Sequence, residues 1–352
     1  MKVLVIGGTR FIGTHVVRQL IKMGHEVTVF NRGQTAAELP EEVKWIKGDR
    51  HQLSDYRLQF QQLAPEVVLD MIPYTAKDAQ GVVDTFQDIA QRIVAISSAD
   101  VYRARDIIWQ KETDIIDRTP LTEDSPLRSQ LYPYRGLSDD PFAQDYDKIP
   151  VEEVFMSATN LPATIMRLPM VYGAGDYRHR FYPYLKRMDD NRPAIVLEEK
   201  LAHWQGCYGY VENVAYAIAL AVNDEKAKGR IYNVAELPGS TEADLVKAIA
   251  RIVGWQGEIV IVPKTQMSAS WEFKANLDQH WITDSSRLRT ELGYTEIVDR
   301  DEALRKTIAW ERQHPPEEFS ELEKSKLLDY TTEDKVLASL KSTKLRDTTG
   351  AK

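Results

Sequence analysis

The sequence predicts an α/β protein built on a doubly wound parallel sheet. Three observations support this fold class. Strand and helix patterns alternate through the first half of the chain, the strands are short apolar runs, and a glycine-rich turn joins the first strand to the first helix. With 352 residues, of which 43% are hydrophobic, the chain is long enough for a large core and for two lobes.

The first strand covers residues 2–6, which have almost no polar content, as expected for a strand buried on both faces. A turn from Gly7 to Gly13 follows, and the next helix has apolar residues at spacings of three and four. Free backbone N–H groups and the helix dipole point at such a turn, so it predicts an anion site. The second strand ends on Asn31-Arg32, about where a dinucleotide fold binds the adenosine ribose. This stretch predicts a nucleotide cofactor; the alternative is a turn that binds no phosphate and keeps Gly13 only for close packing.

The elements after the second strand keep the alternating order. Strands are predicted at residues 43–46, 67–72, 92–96 and 163–168, and helices at residues 55–63, 77–90 and 151–157. Ligands bind outside the carboxyl ends of the strands in such a sheet. We therefore expect one site where five loops converge: Gly7 to Gly13, Asn31-Arg32, Asp49-Arg50, Met71 to Pro73 and Ser97 to Tyr102.

Residues 103–143 interrupt the alternation. This segment is polar, contains four prolines and is too long for an ordinary connection, which predicts either a functional lid or a disordered insertion. The piece from Leu131 to Gly136 combines aromatic and basic side chains, among them Tyr134 and Arg135. It favours an ordered binding loop.

After Gly173 the chain changes character. Residues 177–184 are basic and aromatic, strands are predicted at residues 194–197, 231–234 and 258–262, and helices end near residues 222, 253 and 313. Thr241 with Asp244 resembles a capping pair, and Asp284 is a candidate cap for the following helix. From Pro315 onward the chain is charged, which predicts one or two surface helices and disorder over the final ten residues.

Composition and charge exclude several classes of protein. The net charge of −8 argues against nucleic acid as the main partner, and no run approaches the ~20 apolar residues of a membrane helix. The single cysteine, Cys207, cannot form an internal disulfide, and the chain begins directly in a strand. We therefore expect a cytoplasmic protein without a membrane partner. The seven histidines lack ligand spacing, so no metal site is expected.

Together these residues resemble the extended, atypical short-chain dehydrogenases/reductases, specifically the NAD-dependent epimerase/dehydratase family. The resemblance covers residues 1–312. Its motifs are Gly7-Gly-Thr-Arg-Phe-Ile-Gly13, Gly48-Asp49, Ser97 to Tyr102, Lys148 with Glu152, Arg167 to Gly173, Tyr210 to Val214, Tyr232 to Val234 and Leu292 to Tyr294. The family implies a Rossmann domain at residues 1–168, to which residues 203–222 return, and a smaller C-terminal α/β substrate lobe at residues 169–312. Residues 313–352 are expected to form a charged tail.

The resemblance implies that NAD or NADP binds along the sheet edge. The cofactor-binding residues that it implies are Gly7, Gly8, Thr9, Arg10, Phe11, Ile12, Gly13, Asn31, Arg32, Asp49, Arg50, Met71, Ile72, Pro73, Ser97, Lys148 and Leu168. Arg10 replaces the family's second glycine, a form that is similar to the chloroplast stem-loop RNA-binding group. Asn31-Arg32 replaces the acidic residue of NAD-preferring members, which favours NADP; the alternative is that Arg32 is an exposed loop charge.

The family pairs a tyrosine with a lysine four residues later, and the lysine lowers the pKa of the tyrosine so that the phenolate takes a proton as hydride leaves. Lys148 aligns with that lysine, but Gln144 stands at the tyrosine position. Tyr146 is the expected substitute if the helix starts near Ile149 and leaves residues 146–148 extended, because residues two apart in an extended segment share a face. The alternative is a structural tyrosine in a site without the standard chemistry.

Two residues after the fifth strand complete the candidate catalytic set. Ser98 aligns with the family's catalytic serine or threonine, with a strand-end cap as the alternative. Asp100 occupies the position of a glutamate that acts as acid or base in the family's sugar dehydratases, with a turn cap as the alternative.

The first functional hypothesis is an NAD(P)-dependent epimerase/dehydratase or reductase that acts on a sugar or nucleotide-sugar-like hydroxyl by transient hydride transfer. The expected substrate residues are Arg178, His179, Arg180, Tyr134 and Arg135. The basic ones suit phosphates, or else form a solvated face. The rival hypotheses are a non-catalytic NAD(P)-binding sensor or scaffold and an RNA-binding protein. Family members often dimerise, and the predicted helices at residues 77–90 and 151–157 are the expected surface of a homodimer.

Overall fold

A seven-stranded parallel sheet forms the centre of the molecule. The computed structural model describes residues 1–112, 115–136, 141–237, 239–267, 271, 274–316 and 328–349. The sheet comprises β1 (Lys2–Ile6), β2 (Glu26–Asn31), β3 (Lys44–Lys47), β4 (Val67–Asp70), β5 (Arg92–Ser98), β6 (Ala163–Leu168) and β10 (Ile231–Asn233). Its strand order is β10-β6-β5-β4-β1-β2-β3, and every pairing is parallel. The predicted doubly wound α/β fold is confirmed.

Helices cover both faces of this sheet and also build the smaller lobe. They are α1 (Ile12–Lys22), α2 (Arg57–Leu63), α3 (Ala76–Phe86), α4 (Arg103–Ile108), α5 (Pro141–Asp145), α6 (Lys148–Ser157), α7 (Tyr182–Asp189), α8 (Glu199–His203), α9 (Val211–Asn223), α10 (Glu242–Val253), α11 (Ser286–Leu292), α12 (Arg300–Gln313) and α13 (Tyr330–Thr349). Two short parallel sheets pair β7 (Met170–Tyr172) with β9 (Tyr208–Tyr210) and β8 (Ala194–Glu198) with β11 (Glu258–Val262).

The first strand is buried on both faces, as its sequence predicts. Val3 and Val5 pack in the same apolar cluster as α1 and α9. Leu4 and Ile6 pack in a second cluster with residues of α2, α3 and α6. The side chains of a strand alternate between its faces, so a continuous apolar run fills both layers.

The structure corrects several predicted element boundaries. β4 ends at Asp70 rather than at residue 72, because the Asp70 carboxylate accepts the N–H of Ile72 and turns the chain. The helix predicted at residues 55–63 is a 3₁₀ segment, Arg50–Tyr56, followed by α2. β10, at residues 231–233, lies in the large sheet, and the predicted domain limits stay a prediction.

The charged tail contains an ordered helix. The backbone of α13 is helical to Thr349, residues 350–352 lie outside the described ranges, and disorder over the final ten residues stays a prediction. Val336 packs with Val196 of β8 and Val262 of β11. Glu333 is fully buried and accepts hydrogen bonds from Arg187 at 3.2 Å and Arg192 at 3.3 Å, which holds α13 on the lobe. None of the described helices is long and apolar enough to cross a membrane.

A buried polar network ties α6 to the large sheet. The Ser97 hydroxyl donates to Glu152 at 2.5 Å, and Arg167 donates to both oxygens of the same carboxylate, with its shortest contact at 2.7 Å. The side chains of Arg167 and Glu152 are only 2% and 6% exposed. Removing one partner of such a pair leaves an uncompensated charge in the interior.

We expect Glu152→Gln to lower the free energy of unfolding by about 3–5 kcal/mol, because Arg167 loses its buried counter-charge. Urea unfolding followed by circular dichroism measures the change. Glu153→Gln is the matched control, because Glu153 is the exposed neighbour on the same helix. Equal loss of stability in the two variants would contradict the role of the network.

Candidate active site

The turn between β1 and α1 has the backbone geometry of a nucleotide-binding turn. Gly7 and Gly8 have φ angles of 94° and 84°, a region that favours glycine. A Cβ on Gly13 would lie 2.6 Å from the Cα of Gly8, so the close approach of helix and turn requires glycine. α1 begins at Ile12 after Phe11, and no side chain caps this helix start. The N–H groups of Gly13 and Thr14 donate to the carbonyls of Arg10 and Phe11 at 2.9 and 3.2 Å, so what this helix start offers an anion is the positive end of the helix dipole.

Asn31 and two arginines border the loop that follows β2. The Oδ1 of Asn31 accepts the N–H of Gly33 at 2.7 Å, whereas its Nδ2 is buried and has no partner among the described residues. Arg32 is exposed, and no hydrogen bond or ion pair involves it within the described ranges. Arg10, which follows Thr9 in the glycine turn, donates through Nε to Thr35 at 3.3 Å. The end of β2 thus carries one unsatisfied amide followed by an exposed arginine, and Arg10 contacts the same loop through Thr35.

Other predicted cofactor residues have partners within the protein. The guanidinium of Arg50 donates to both oxygens of Asp70 at 3.0 and 3.1 Å, and the Arg50 side chain is 8% exposed. Ser97 is bonded to Glu152, as described above. The Asp49 carboxylate accepts the N–H of His51 and starts the 3₁₀ segment. A role for these side chains in cofactor binding stays a prediction.

The loop after β4 lies against the glycine turn, as predicted. A Cβ on Gly7 would lie 3.4 Å from side-chain atoms of both Met71 and Ile72. Pro73 follows and contributes its carbonyl to the lysine described next. Leu168 ends β6 and is buried in the core. The carboxyl ends of β1, β4, β5 and β6 therefore lie on one sheet edge.

Lys148 is the first residue of α6, and its amine is buried between the ends of β4 and β5. Nζ donates to the carbonyls of Pro73 at 2.7 Å and Ile96 at 3.0 Å. It lies 5.1 Å from the ring centre of Tyr74 and 5.8 Å from that of Tyr146. Burial lowers the pKa of Lys148 to about 8.

The predicted local geometry around Lys148 needs one correction. The structure starts the helix at Lys148 rather than near Ile149, so residues 146–148 do not form one extended segment. The backbone of Asp147 is extended, with φ −159° and ψ 130°, and its carboxylate caps the helix by accepting the N–H of Ile149. The N–H of Tyr146 donates to the carbonyl of Phe142, which continues the helical pattern of α5. Tyr146 nevertheless lies beside the lysine.

Asp100 connects the predicted catalytic residues. Its Oδ2 accepts from the hydroxyl of Tyr134 at 3.3 Å and from that of Tyr146 at 3.5 Å. The hydroxyl of Ser98 accepts the N–H of Asp100 at 3.2 Å, so Ser98 caps the short turn after β5. Burial raises the pKa of Asp100 and raises that of Tyr146 well above its usual value. We call Asp100, Tyr134 and Tyr146 the acidic cluster.

The insertion is held in place by an ion pair that the sequence analysis missed. Arg128 pairs with Asp147 at 2.8 Å, and their side chains are 0% and 1% exposed. Arg128 also donates to the carbonyl of Asp100 at 2.6 Å. The described part of the insertion is therefore ordered, and it positions Tyr134 at the site. The disordered alternative does not apply to that part. Residues 113–114 and 137–140 lie outside the described ranges. The sequence shows only an arginine in a polar loop. It does not predict the partner, because two residues 19 positions apart do not follow the spacing of a helix or a strand.

Two of the predicted basic substrate residues, Arg180 and His179, are bonded to carboxylates. Arg180 pairs with Asp176 at 2.7 Å, and His179 contacts Glu311 at 2.6 Å. The guanidinium of Arg178 lies 5.3 Å from the ring centre of its neighbour Tyr177. None of these contacts joins them to Asp100.

Arg135 also lies apart from the acidic cluster. Its Nε donates to the carbonyl of Gln144 at 2.9 Å, and its guanidinium lies 4.0 Å from the ring centre of Tyr132. Of the predicted substrate residues, Tyr134 is the one that the described contacts bring to Asp100.

A separate cavity of about 250 Å³ lies in the smaller lobe. None of the predicted site residues lines it, and its walls include Tyr172, Phe181, Tyr208, Glu236, Glu296 and Arg300. Gly206, also in its wall, pairs with Trp281, whose indole N–H donates to the carbonyl of Ala99 at 3.2 Å. The cavity wall is thus linked through one tryptophan to the turn that carries Asp100.

Comparison with known proteins relates this geometry to one family. The model of the NAD dependent epimerase/dehydratase family matches residues 3–97 and 148–235. The matched segments include the glycine turn and Lys148, and the unmatched residues between them include Asp100, Tyr134 and Tyr146.

Similar proteins include a stem-loop binding protein and enzymes. The chloroplast stem-loop binding protein of 41 kDa b from Arabidopsis thaliana is 27% identical over 355 residues, which cover 96% of this chain and 84% of that protein. The 2'-dehydrokanamycin reductase of Streptomyces kanamyceticus is 24% identical over 294 residues, or 82% of this chain and 75% of that enzyme.

Two solved structures show the same fold. UDP-glucose 4-epimerase from Thermotoga maritima, solved with UDP-glucose, has a TM-score of 0.65 and 20% identity, and the match covers 89% of this chain and 99% of that chain. The dTDP-glucose 4,6-dehydratase from Bacillus anthracis, solved with NAD, has a TM-score of 0.66 and 14% identity, with coverages of 89% and 97%.

The buried amine of Lys148 predicts a pH-dependent stability. Its pKa is about 8 in the folded protein and 10.5 in the ordinary case, so between these values the unfolded chain binds more protons than the folded one. We expect the free energy of unfolding of the wild type, relative to Lys148→Met, to rise with pH over this interval, by up to about 1.4 kcal/mol per pH unit. Urea unfolding at a series of pH values measures this difference. Lys22→Met, which removes an exposed lysine, is the control, and a difference that stays flat above pH 8 would contradict the buried amine.

Proposed function

We propose that this chain, which belongs to the NAD dependent epimerase/dehydratase family, is an enzyme that binds NAD or NADP on the edge of its large sheet and oxidises or reduces a sugar-like hydroxyl or carbonyl group. The observation that carries the proposal is that one sheet edge combines an uncapped helix start behind a glycine turn with a buried amine and the acidic cluster. The helix start suits a pyrophosphate. The amine and the cluster suit proton transfer beside it.

The residues present fit a dinucleotide. The turn is closed so tightly that a Cβ on Gly13 would clash with Gly8, which is the packing that brings a helix N-terminus close to a phosphate. The buried Nδ2 of Asn31 lacks a partner among the described residues, and a ribose hydroxyl would satisfy it. When bound, the nicotinamide supplies or accepts the hydride. The chain contributes the positive charge of Lys148 and the protons of Tyr146 and Asp100.

NADP is the preferred form in this proposal. Asn31 ends β2 without a carboxylate, so nothing at that position repels a 2'-phosphate. Arg32 is exposed and unpaired within the described ranges, and Arg10 reaches the same loop through Thr35. Both guanidinium groups suit a phosphate.

We assign the substrate to the class of sugars and sugar-like molecules. Two of the similar proteins are named as enzymes of sugar-containing compounds: UDP-glucose 4-epimerase and 2'-dehydrokanamycin reductase. Of the residues expected to hold phosphates, Arg180 pairs with Asp176 and His179 bonds to Glu311, and a phosphate would have to displace these carboxylates. The proposal therefore includes free sugars as well as nucleotide-linked ones.

Similarity to the chloroplast stem-loop binding protein favours RNA binding as a second candidate function. The chain has a net charge of −8, and Arg180 within its basic-aromatic stretch is ion-paired. An RNA-binding surface gains its affinity from free cations that neutralise backbone phosphates. The charge distribution therefore favours the enzyme.

We expect the wild type to bind NADPH more tightly than NADH, and Arg32→Ala to weaken NADPH binding by about 10- to 100-fold, because a charged hydrogen bond contributes ~1.5–3 kcal/mol. Titration of each coenzyme, followed by nicotinamide fluorescence, measures both affinities. Lys22→Ala, at the far end of α1, is the control. Equal affinities in the wild type would contradict the NADP preference, and failure to bind either coenzyme would contradict the enzyme.

We expect a filter-binding assay with a stem-loop RNA to detect no salt-dependent binding. A protein that neutralises phosphates loses affinity steeply as salt concentration rises. A strong salt dependence, retained after saturation with NADPH, would instead favour RNA binding at a surface outside the coenzyme site.

A further inference from the structure

Three acidic groups from separate parts of the chain meet at one carboxylate oxygen. Asp100 follows β5, Tyr134 comes from the insertion, and Tyr146 lies between α5 and α6. The two phenols donate to Oδ2 of Asp100 at 3.3 and 3.5 Å, and their rings meet edge to face with centroids 5.3 Å apart. Hydrogen bonds of catalytic groups are often this long before a substrate tightens them.

The Asp100 carboxylate has no ion-pair partner among the described residues. Arg128 donates a hydrogen bond to the backbone carbonyl of Asp100, but it forms its ion pair with Asp147. Arg105 pairs with Asp106 and lies 5.1 Å from the ring centre of Tyr134. Asp100 is 6% exposed, and its Oδ1 is buried and has no hydrogen-bond partner among the described residues. A buried carboxylate without a counter-ion favours its protonated form.

The charged and titratable groups around the cluster come from four segments of the chain. They are Arg105, Arg128, Asp147 and Lys148, with Tyr74 beside the lysine. The cations lower the pKa of Asp100, whereas burial, the larger effect, and the charge of Asp147 raise it. Asp100 also raises the pKa of Tyr146. Both shifts favour the protonated forms of Asp100 and Tyr146, in contrast with a phenolate that a nearby lysine stabilises.

We propose that Asp100, Tyr134 and Tyr146 form a single proton-transfer unit in which Tyr146 passes a proton to the reacting oxygen, Asp100 replaces that proton, and Tyr134 positions Asp100. This inference rests on the proposed function. In the reduction of a carbonyl, a bound reduced nicotinamide would supply the hydride to carbon, and the electron pair of the C=O π bond would move to oxygen. That oxygen takes the proton of Tyr146 as the phenolic O–H bond breaks. The Asp100 proton then moves to Tyr146, and the carboxylate takes a proton from water.

The unit is tested without a substrate by carbon-13 NMR of protein labelled at the aspartate Cγ and tyrosine Cζ atoms. Asp100→Asn assigns the Asp100 signal. We expect Tyr134→Phe and Tyr146→Phe each to raise the pKa of Asp100 by about 0.5–1 unit, because each removes a donor that stabilises the carboxylate. We also expect Asp100→Asn to lower the pKa of Tyr146 by at least about one unit, because a neighbouring negative charge is lost.

Tyr216→Phe is the matched control, because Tyr216 is a half-buried tyrosine on α9. An Asp100 titration that is the same in the wild type, Tyr134→Phe and Tyr146→Phe would overturn the unit. Amide spectra confirm that each variant is folded. NADPH titration of the same samples separates the two proposals, because the unit fails on the NMR result alone and the proposed function fails on coenzyme binding alone.

Discussion

The candidate site depends on the carboxylate of Asp147, which is buried where three segments meet. It pairs with Arg128 and accepts the backbone N–H groups of Tyr132 and Ile149. The bond to Ile149 caps α6 and so fixes where Lys148 begins the helix. The other two bonds hold the insertion against the sheet edge. A buried charge of this kind is stable only with all its partners in place, so the insertion and α6 are ordered together.

Buried ion pairs also fix the loops at the coenzyme side of the edge. Arg50, after β3, bonds to Asp70 at the end of β4, and its Nε lies 3.4 Å from Asp78 at the start of α3. These contacts join consecutive loops that the parallel sheet only brings near one another. Lys148 differs, because the described hydrogen bonds of its amine go to carbonyl groups. It keeps a positive charge at the sheet edge that no carboxylate neutralises by direct contact, and a bound ligand would experience that charge.

The sequence predicted the fold and the glycine turn because both depend on local patterns. Apolar periodicity determines strands and helices, and the clash at Gly13 is a property of a turn of seven residues. The partners of charged side chains were not predicted, because they come from distant positions. Arg50, Ser97 and Arg180 each carry a group suited to a ligand, yet each is bonded to a carboxylate. The residue type shows that a side chain can bind a ligand, but only the tertiary contacts show whether that side chain is already bonded within the protein.

Gln144 and Lys148 lie on two different helices, because the chain breaks between α5 and α6. In a continuous helix, residues four apart share a face, so a tyrosine at position 144 would lie over Lys148. Here α5 ends at Asp145 and α6 begins at Lys148, so that relation does not hold. The carbonyl of Gln144 bonds to Arg135 of the insertion, whereas the ring of Tyr146 lies 5.8 Å from the amine of Lys148. Tyr146, two positions later, thus lies near the lysine, and its hydroxyl donates to Asp100 at 3.5 Å. Within the described part of the chain, the break between α5 and α6 therefore accompanies a phenol whose hydrogen bond goes to a carboxylate.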